Sequence, residues 1–161
     1  MATFLQPACK SNRPDPVRAE NRALARTWIE LLNQHDTTGL GELYSDSAKL
    51  FSPNWNGFKT GPAGARETYG RYFQGTPDLR HRISRIVVTD STAVVEYISQ
   101  GTFQNPEKGT PDYMKGKQYK LENCTRLDIS KGKITEQMNY FDQVSFLRQV
   151  GFFDQRSKQA N

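Results

Sequence analysis

The chain has 161 residues, 35% of them hydrophobic, and carries a net charge of +5; its mean hydropathy is −0.76. A single domain of this length buries roughly 70% of its unfolded surface, enough for a core and a pocket. Two Trp, seven Tyr and nine Phe exclude a disordered chain, and the absence of any apolar run longer than three residues excludes a transmembrane helix.

Residues 1–15 are polar and punctuated by proline, and are expected to form a flexible leader before a domain at 16–151, with 152–161 as a tail. The opening stretch has no basic n-region followed by a long apolar segment, so no secretory signal is expected. Asp15-Pro16 then supplies an N-cap carboxylate followed by proline at the first helical position. Val17, Leu24, Trp28, Leu31 and Leu32 follow at helical spacing, which predicts a helix over 16–34 with one apolar face. Asp36 caps a second, short helix carrying Leu40, Leu43 and Tyr44, and Ala48 to Ser52 reads as a short strand. After the loop Pro53-Asn54-Trp55-Asn56-Gly57, a third helix starts near Thr60-Gly61-Pro62. It presents Ala65, Tyr69, Tyr72 and Phe73 on one side and ends at Gly75-Thr76-Pro77.

The period then changes. Residues 79–88, 92–104, 116–129 and 133–142 are β-branched and aromatic with period-two stretches, which predicts four strands. Asp90-Ser91 joins the first pair, 106–114 is a longer loop, and Lys131-Gly132 is a tight turn between the last two. Val144, Phe146, Leu147 and Val150 make a short closing helix before Gly151. Helices followed by a meander predict an α+β class: about three N-terminal helices on a curved antiparallel sheet, a cone-shaped roll with a wedge-shaped pocket inside.

Several residue types bound the chemistry. The basic clusters Arg80, Arg82, Arg85 and Lys115, Lys117, Lys120 lie in strand-like segments outside any nucleic-acid motif, so no nucleic-acid partner is expected. Two cysteines, Cys9 and Cys124, make no disulfide framework and fit the reducing cytoplasm. His35 and His81 are far apart with no carboxylates clustered about them, so no metal is expected.

On the last strand Glu136, Met138, Tyr140 and Asp142 share parity, and they face one side if no bulge intervenes. Asn123, Thr125, Leu127 and Ile129 share a face of the preceding strand, which its apolar members mark as inner. A carboxylate turned into an aromatic pocket has a raised pKa and acts as a base. Asp142 is therefore a candidate base or a cap of the last helix, and Glu136 a candidate base or a solvated, paired strand residue. His81 alternates with Ile83 and is either a catalytic group or a hydrogen-bonded wall residue. Tyr97, Phe103 and Tyr140 are candidate ligand-contacting aromatics, and Trp55 is a lid or a dimer contact.

The order of segments, with Trp28 to Asp36, Gly61-Pro62-Ala63-Gly64, Pro77-Asp78-Leu79-Arg80, Gly101-Thr102, Gly132 to Asp142 and Leu147-Arg148-Gln149-Val150-Gly151, resembles the SnoaL-like polyketide cyclase and ester cyclase group of the nuclear transport factor two-like superfamily. The resemblance covers residues 17–151. It implies three helices against a curved sheet, a homodimer, and a pocket for a hydrophobic small-molecule ligand, with no metal or organic cofactor. It also implies a ring closure by intramolecular aldol chemistry, with a His on the penultimate strand and an Asp fourteen residues later as acid and base. Those positions are Thr125 and Asn139 here, Met138 stands where the family has Trp, and Phe103 stands where a further His often follows the Gly-Thr pair. Thr and Asn hydrogen-bond a substrate but do not take up a proton near neutral pH. The expected site is thus Asp142, Glu136 and His81 for proton transfer, with Asn139, Thr125, Tyr140, Met138, Phe103, Tyr97, Asn123 and Trp55 around the ligand. Either a cyclase or isomerase, or a non-catalytic ligand-binding or dimerisation module of the same fold, fits these residues.

Overall fold

A computed structural model describes residues 15–54 and 56–154; the leader through residue 14, Trp55 and the tail beyond residue 154 lie outside the described residues. Helix α1 (Pro16–Gln34) starts where Asp15 accepts the backbone N–H of Val17 at 2.9 Å. It ends at His35, whose left-handed conformation (φ 56°) turns the chain. Asp36 caps α2 (Thr37–Glu42) by accepting from Gly39 N–H. Strand β1 (Tyr44–Phe51) then begins at Tyr44, so this tyrosine opens a strand instead of closing the short helix. A two-residue strand β2 (Lys59–Thr60) precedes α3 (Gly61–Gly75).

Strands β3 (Arg80–Val88), β4 (Thr92–Phe103), β5 (Lys117–Ser130) and β6 (Lys133–Phe141) follow, and α4 (Gln143–Gln149) closes the chain. The sheet order is β2-β1-β6-β5-β4-β3. The meander β3 to β6 is antiparallel; the short links β3–β4 and β5–β6 require it, whereas the longer 104–116 link between β4 and β5 does not. The sheet as a whole is mixed, because β1 pairs parallel with β6. The expected antiparallel meander is thus joined by β1 in parallel: β1 and β6 lie far apart in sequence, so no hairpin dictates their direction.

Among the described residues the strand pairing slips at three places, one of them between β1 and β6, and the other two curl the meander. One lies in β3, where the pairing slips between Ile83 and Arg85. The other lies between β5 and β6, near the Lys131-Gly132 turn, whose two residues both have positive φ. An extra residue bends a strand and increases its twist, and the concave face so formed receives α1 and α3. The core there is Trp28, Leu32, Leu50, Tyr69, Val95 and Leu127, all buried.

Side chains from the helical half fasten the strands. Asn33 donates to the carbonyl of His81 at 2.9 Å and accepts its N–H at 2.7 Å, acting as a strand partner for that one residue. Asp78 accepts both the backbone N–H and the hydroxyl of Thr102 at 2.7 Å, and these bonds hold its carboxyl below the usual range. The two short motifs around Asp78 and Gly101 thus meet in space. Gly101 is required at this crossing, since a Cβ there would lie 2.4 Å from Thr76.

Candidate functional site

Inside the cone lies a cavity of about 270 Å³, bounded by α1, α3, β3, β4, β5, β6, the segment 104–116 and α4. Its walls are mainly aromatic and include Tyr72, Phe73, Tyr97, Phe103, Tyr119 and Phe146. Phe146 stands edge-on to Phe103 and Tyr119, with centroids 5.7 and 5.0 Å away. An apolar cavity of roughly 150 Å³ holds one benzene ring, so this one has room for about two fused rings. At the mouth Arg71 and Glu107 form a two-pronged ion pair at 2.9 and 2.7 Å.

The floor is polar and extensively hydrogen-bonded. Thr125 and Asn139 are paired across β5 and β6, and the Thr125 hydroxyl donates to Asn139 Oδ1 at 2.6 Å. Gln137 Nε2 donates to the same oxygen at 3.0 Å. Behind them Tyr44 and Tyr69 both donate to Gln137 Oε1, Tyr69 at 2.9 Å. The Trp28 indole N–H donates to the Tyr44 hydroxyl at 3.0 Å, and Tyr97 and Thr125 share a bond of 3.1 Å. Burial pushes the Tyr44, Tyr69 and Tyr97 phenols above their usual range, so they stay protonated and serve as donors.

His81 is in the wall, edge-on to Tyr97 at 5.5 Å. Its Nδ1 lies 2.9 Å from Ser99 Oγ, which also accepts from Asn123 at 3.0 Å. Its Nε2 is buried and has no partner among the described residues. Desolvation, with smaller electrostatic contributions from His35 and Arg80, lowers its pKa to about 4. The imidazole is neutral at physiological pH. His35 is placed elsewhere: its Nε2 meets the Leu79 carbonyl at 3.0 Å and its ring stacks on Phe73 at 4.3 Å.

Of the residues expected around the ligand, the cavity wall contains His81, Tyr97, Phe103, Asn123 and Asn139. Thr125 is fully buried beneath Asn139 and reaches the cavity only through it. The remaining expectations on β6 are corrected by one residue of bulge. A two-residue turn alone pairs Ser130 with Lys133 and Ile129 with Ile134, and continuing that count would turn Glu136, Met138 and Tyr140 inward. The irregularity between Asp128 and Ile129 shifts the count, so Asp128 meets Glu136 and Arg126 meets Met138. Gln137, Asn139 and Phe141 therefore face the cone, and Glu136, Met138 and Tyr140 its outer side. Glu136 pairs there with Arg126, as does Asp128 at 3.0 Å, and half of Tyr140 is exposed.

Asp142 caps α4, accepting from Ser145 N–H at 3.0 Å. It lies outside the cavity wall. Cys124 is half-buried on the outer face, where burial raises its pKa. Sequence reasoning missed Gln137 altogether. The pairing of Thr125 with Asn139 that the family pattern implies was the available signal, since it puts 137 and 139 on the face of Leu127 and Thr125. Among the described residues no three His, Cys, Asp or Glu side chains form a group able to hold a metal ion.

The sequence pattern of the SnoaL-like polyketide cyclase family matches residues 22–150. The chain belongs to this family. Solved structures agree on the fold. A SnoaL-like polyketide cyclase from Agrobacterium tumefaciens is 21% identical, with a TM-score of 0.67, over 81% of this chain and 97% of its own. A phenazine biosynthesis-related protein from Pseudomonas aeruginosa is 19% identical, with a TM-score of 0.70, over 89% and 90%. A protein with a ketosteroid isomerase-like fold from Catenulispora acidiphila, in complex with trimethylamine, is 17% identical, with a TM-score of 0.67, over 80% and 92%. No curated protein sequence matches the chain. Within this SnoaL-like fold Thr125 and Asn139 hold each other across β5 and β6.

Proposed function

We propose that this SnoaL-like chain is a cofactor-independent cyclase or isomerase for a polyketide-like or cyclic carbonyl compound, with His81 as proton acceptor and Asn139 as the group that holds the carbonyl oxygen. The observation that carries this reading is a neutral His81 with an unpartnered Nε2 in the wall of an aromatic cavity whose floor ends in Asn139. In the tautomer that donates Nδ1–H to Ser99, the Nε2 lone pair is free to take a proton from carbon next to a carbonyl. The negative charge then develops on the oxygen, where an amide donor stabilises it. His81 is a weak base, so the fitting substrates carry a proton flanked by two carbonyls, as poly-β-ketones do. An enolate formed beside the imidazolium would itself raise the pKa of His81.

A second reading, a binding protein for the same kind of hydrophobic molecule, is favoured by one observation. Among the described residues the only carboxylate in the cavity wall, Glu107, is exposed and bound to Arg71. Turnover of cyclic and linear β-diketones by the native chain and by His81→Gln separates the two. General base catalysis contributes about 10²–10⁴-fold. A drop of that order with ligand affinity kept supports the enzyme, while equal rates in both proteins leave the binding reading.

The outer sheet face exposes Val87 and Tyr140, with Val94, Ile98 and Cys124 half-buried beside them. Two such faces packed back to back make a homodimer, which belongs to this proposal. So does a cytoplasmic site; no helix among the described residues is long and apolar enough to cross a membrane.

A further inference from the structure

The hydrogen bonds of the cavity floor have a direction, and a group that can only donate sets it. The Trp28 indole N–H has no acceptor capacity. Its bond to Tyr44 therefore occupies a lone pair of the phenol oxygen and sends the Tyr44 proton onward to Gln137. Tyr69 donates to the same Gln137 oxygen. With Oε1 taken by two donors, the Gln137 amide must present Nε2 to Asn139, and Asn139 must present Oδ1 in return. Thr125 donates to that oxygen as well, leaving its own lone pair for the Tyr97 hydroxyl.

What remains is Asn139 Nδ2. It has no protein partner among the described residues, yet it is absent from the buried unpaired atoms and its residue lines the cavity. Each bond in the chain polarises the next in the same sense, which strengthens the final N–H as a donor. Turning the amide over would set Nδ2 against the Gln137 Nε2 at 3.0 Å, donor against donor, and would leave the Thr125 hydroxyl as the one group there able to accept, at the cost of its own donated bond.

We propose that Trp28, Tyr44, Tyr69 and Gln137 act as positioning residues that lock the Asn139 amide with its N–H groups toward the cavity, so that this floor selects a ligand by an acceptor oxygen, a carbonyl or its enolate, and disfavours a donor at that point. This rests on the placing of Asn139 at the ligand in the proposed function, and names the ligand chemistry that it reads. Gln137 is 1% exposed and outside the cavity wall; it acts only through Asn139.

Three neutral bicyclic probes of matched size test the assignment by equilibrium binding. 1-Indanone carries a carbonyl acceptor, indole carries an N–H donor and no comparable acceptor, and indane carries neither. The native chain is expected to bind 1-indanone about 3- to 10-fold more tightly than indane, the range of one ordinary hydrogen bond, and indole no better than indane. Asn139→Ala is expected to bring 1-indanone down to the level of indane. Gln137→Glu keeps the shape of the side chain but, with its new carboxyl ionised at alkaline pH, cannot donate. Asn139 then turns Nδ2 toward it and Oδ1 toward the cavity, and the order is expected to reverse in favour of indole. Loss of the 1-indanone preference in the native chain, failure of all three probes to bind, or an unchanged order in a folded Gln137→Glu protein overturns the proposal. If Gln137→Glu does not fold, the native ranking and Asn139→Ala decide it alone. Turnover plays no part, so a chain without activity that still ranks 1-indanone first loses the catalytic reading and keeps this one.

Discussion

Acidification should expose the buried state of His81 before it touches the carboxylates. In the folded chain desolvation, aided electrostatically by His35 and Arg80, lowers its pKa to about 4 from the ordinary 6.5. The unfolded chain therefore binds a proton that the folded chain refuses, and stability rises with pH through this window. The contribution is complete above about pH 6.5 and is lost as the pH falls toward about 4. Each pH unit between the two values is worth about 1.4 kcal/mol, so the full loss is about 3 kcal/mol. Near pH 5, where most carboxylates are still ionised, it has reached about 2 kcal/mol. His81→Gln removes the titration and retains a partner for Ser99. Urea unfolding of both proteins at about pH 7 and pH 5 reads the difference, provided the slopes with denaturant agree. The native chain should lose about 2 kcal/mol more than the variant over that interval. Equal losses in the two proteins would refute a neutral, desolvated imidazole in the wall, and with it the proton acceptor proposed above.

Asp142→Ala should lower stability by about 1 kcal/mol while Asp142→Asn changes it by a few tenths, because either Asn or Asp caps a helix; thermal melts check this, and a large loss of ligand affinity in the Asn variant would contradict the cap. Gly101→Ala places a Cβ 2.4 Å from Thr76 and 3.2 Å from the backbone of Leu79. It should cost about 1–3 kcal/mol, the usual scale of overpacking, and a neutral effect on the unfolding midpoint would show that the strand yields there. The homodimer predicts a solution mass of twice 18.4 kDa at micromolar concentration, and light scattering that returned the single-chain mass would remove it.

Much of the fold was legible because its signals are local. Asp15-Pro16, Asp36 and Gly75 mark helix ends by backbone chemistry that needs no neighbours. The aromatic positions of α3 repeat at helical spacing, and Lys131-Gly132 can close only a tight turn. Asn33, Asp78 and Gly101 were visible as parts of family motifs, though their partners were not: each joins segments that are distant in the chain.

The site was legible by halves. Its inner face on β5 follows from Leu127 and Ile129, and His81, Tyr97, Phe103 and Asn123 do reach the cavity. On β6 the alternation of side chains is as regular for one parity as for the other. A single bulged residue reverses it, and whether a strand bulges depends on the curvature demanded by the helices it must wrap. The same holds for β1, whose parallel place beside β6 is chosen by packing rather than by any link. The sequence by itself determined the three main helices and the four strands of the meander, and where most of them stop. Only the tertiary structure decided that Glu136 and Asp142 stand outside, that His81 is held neutral, and that Trp28 sets the direction of the bonds ending at Asn139. Burial and hydrogen-bond direction are properties of surroundings, and those surroundings are assembled from residues up to 93 positions apart.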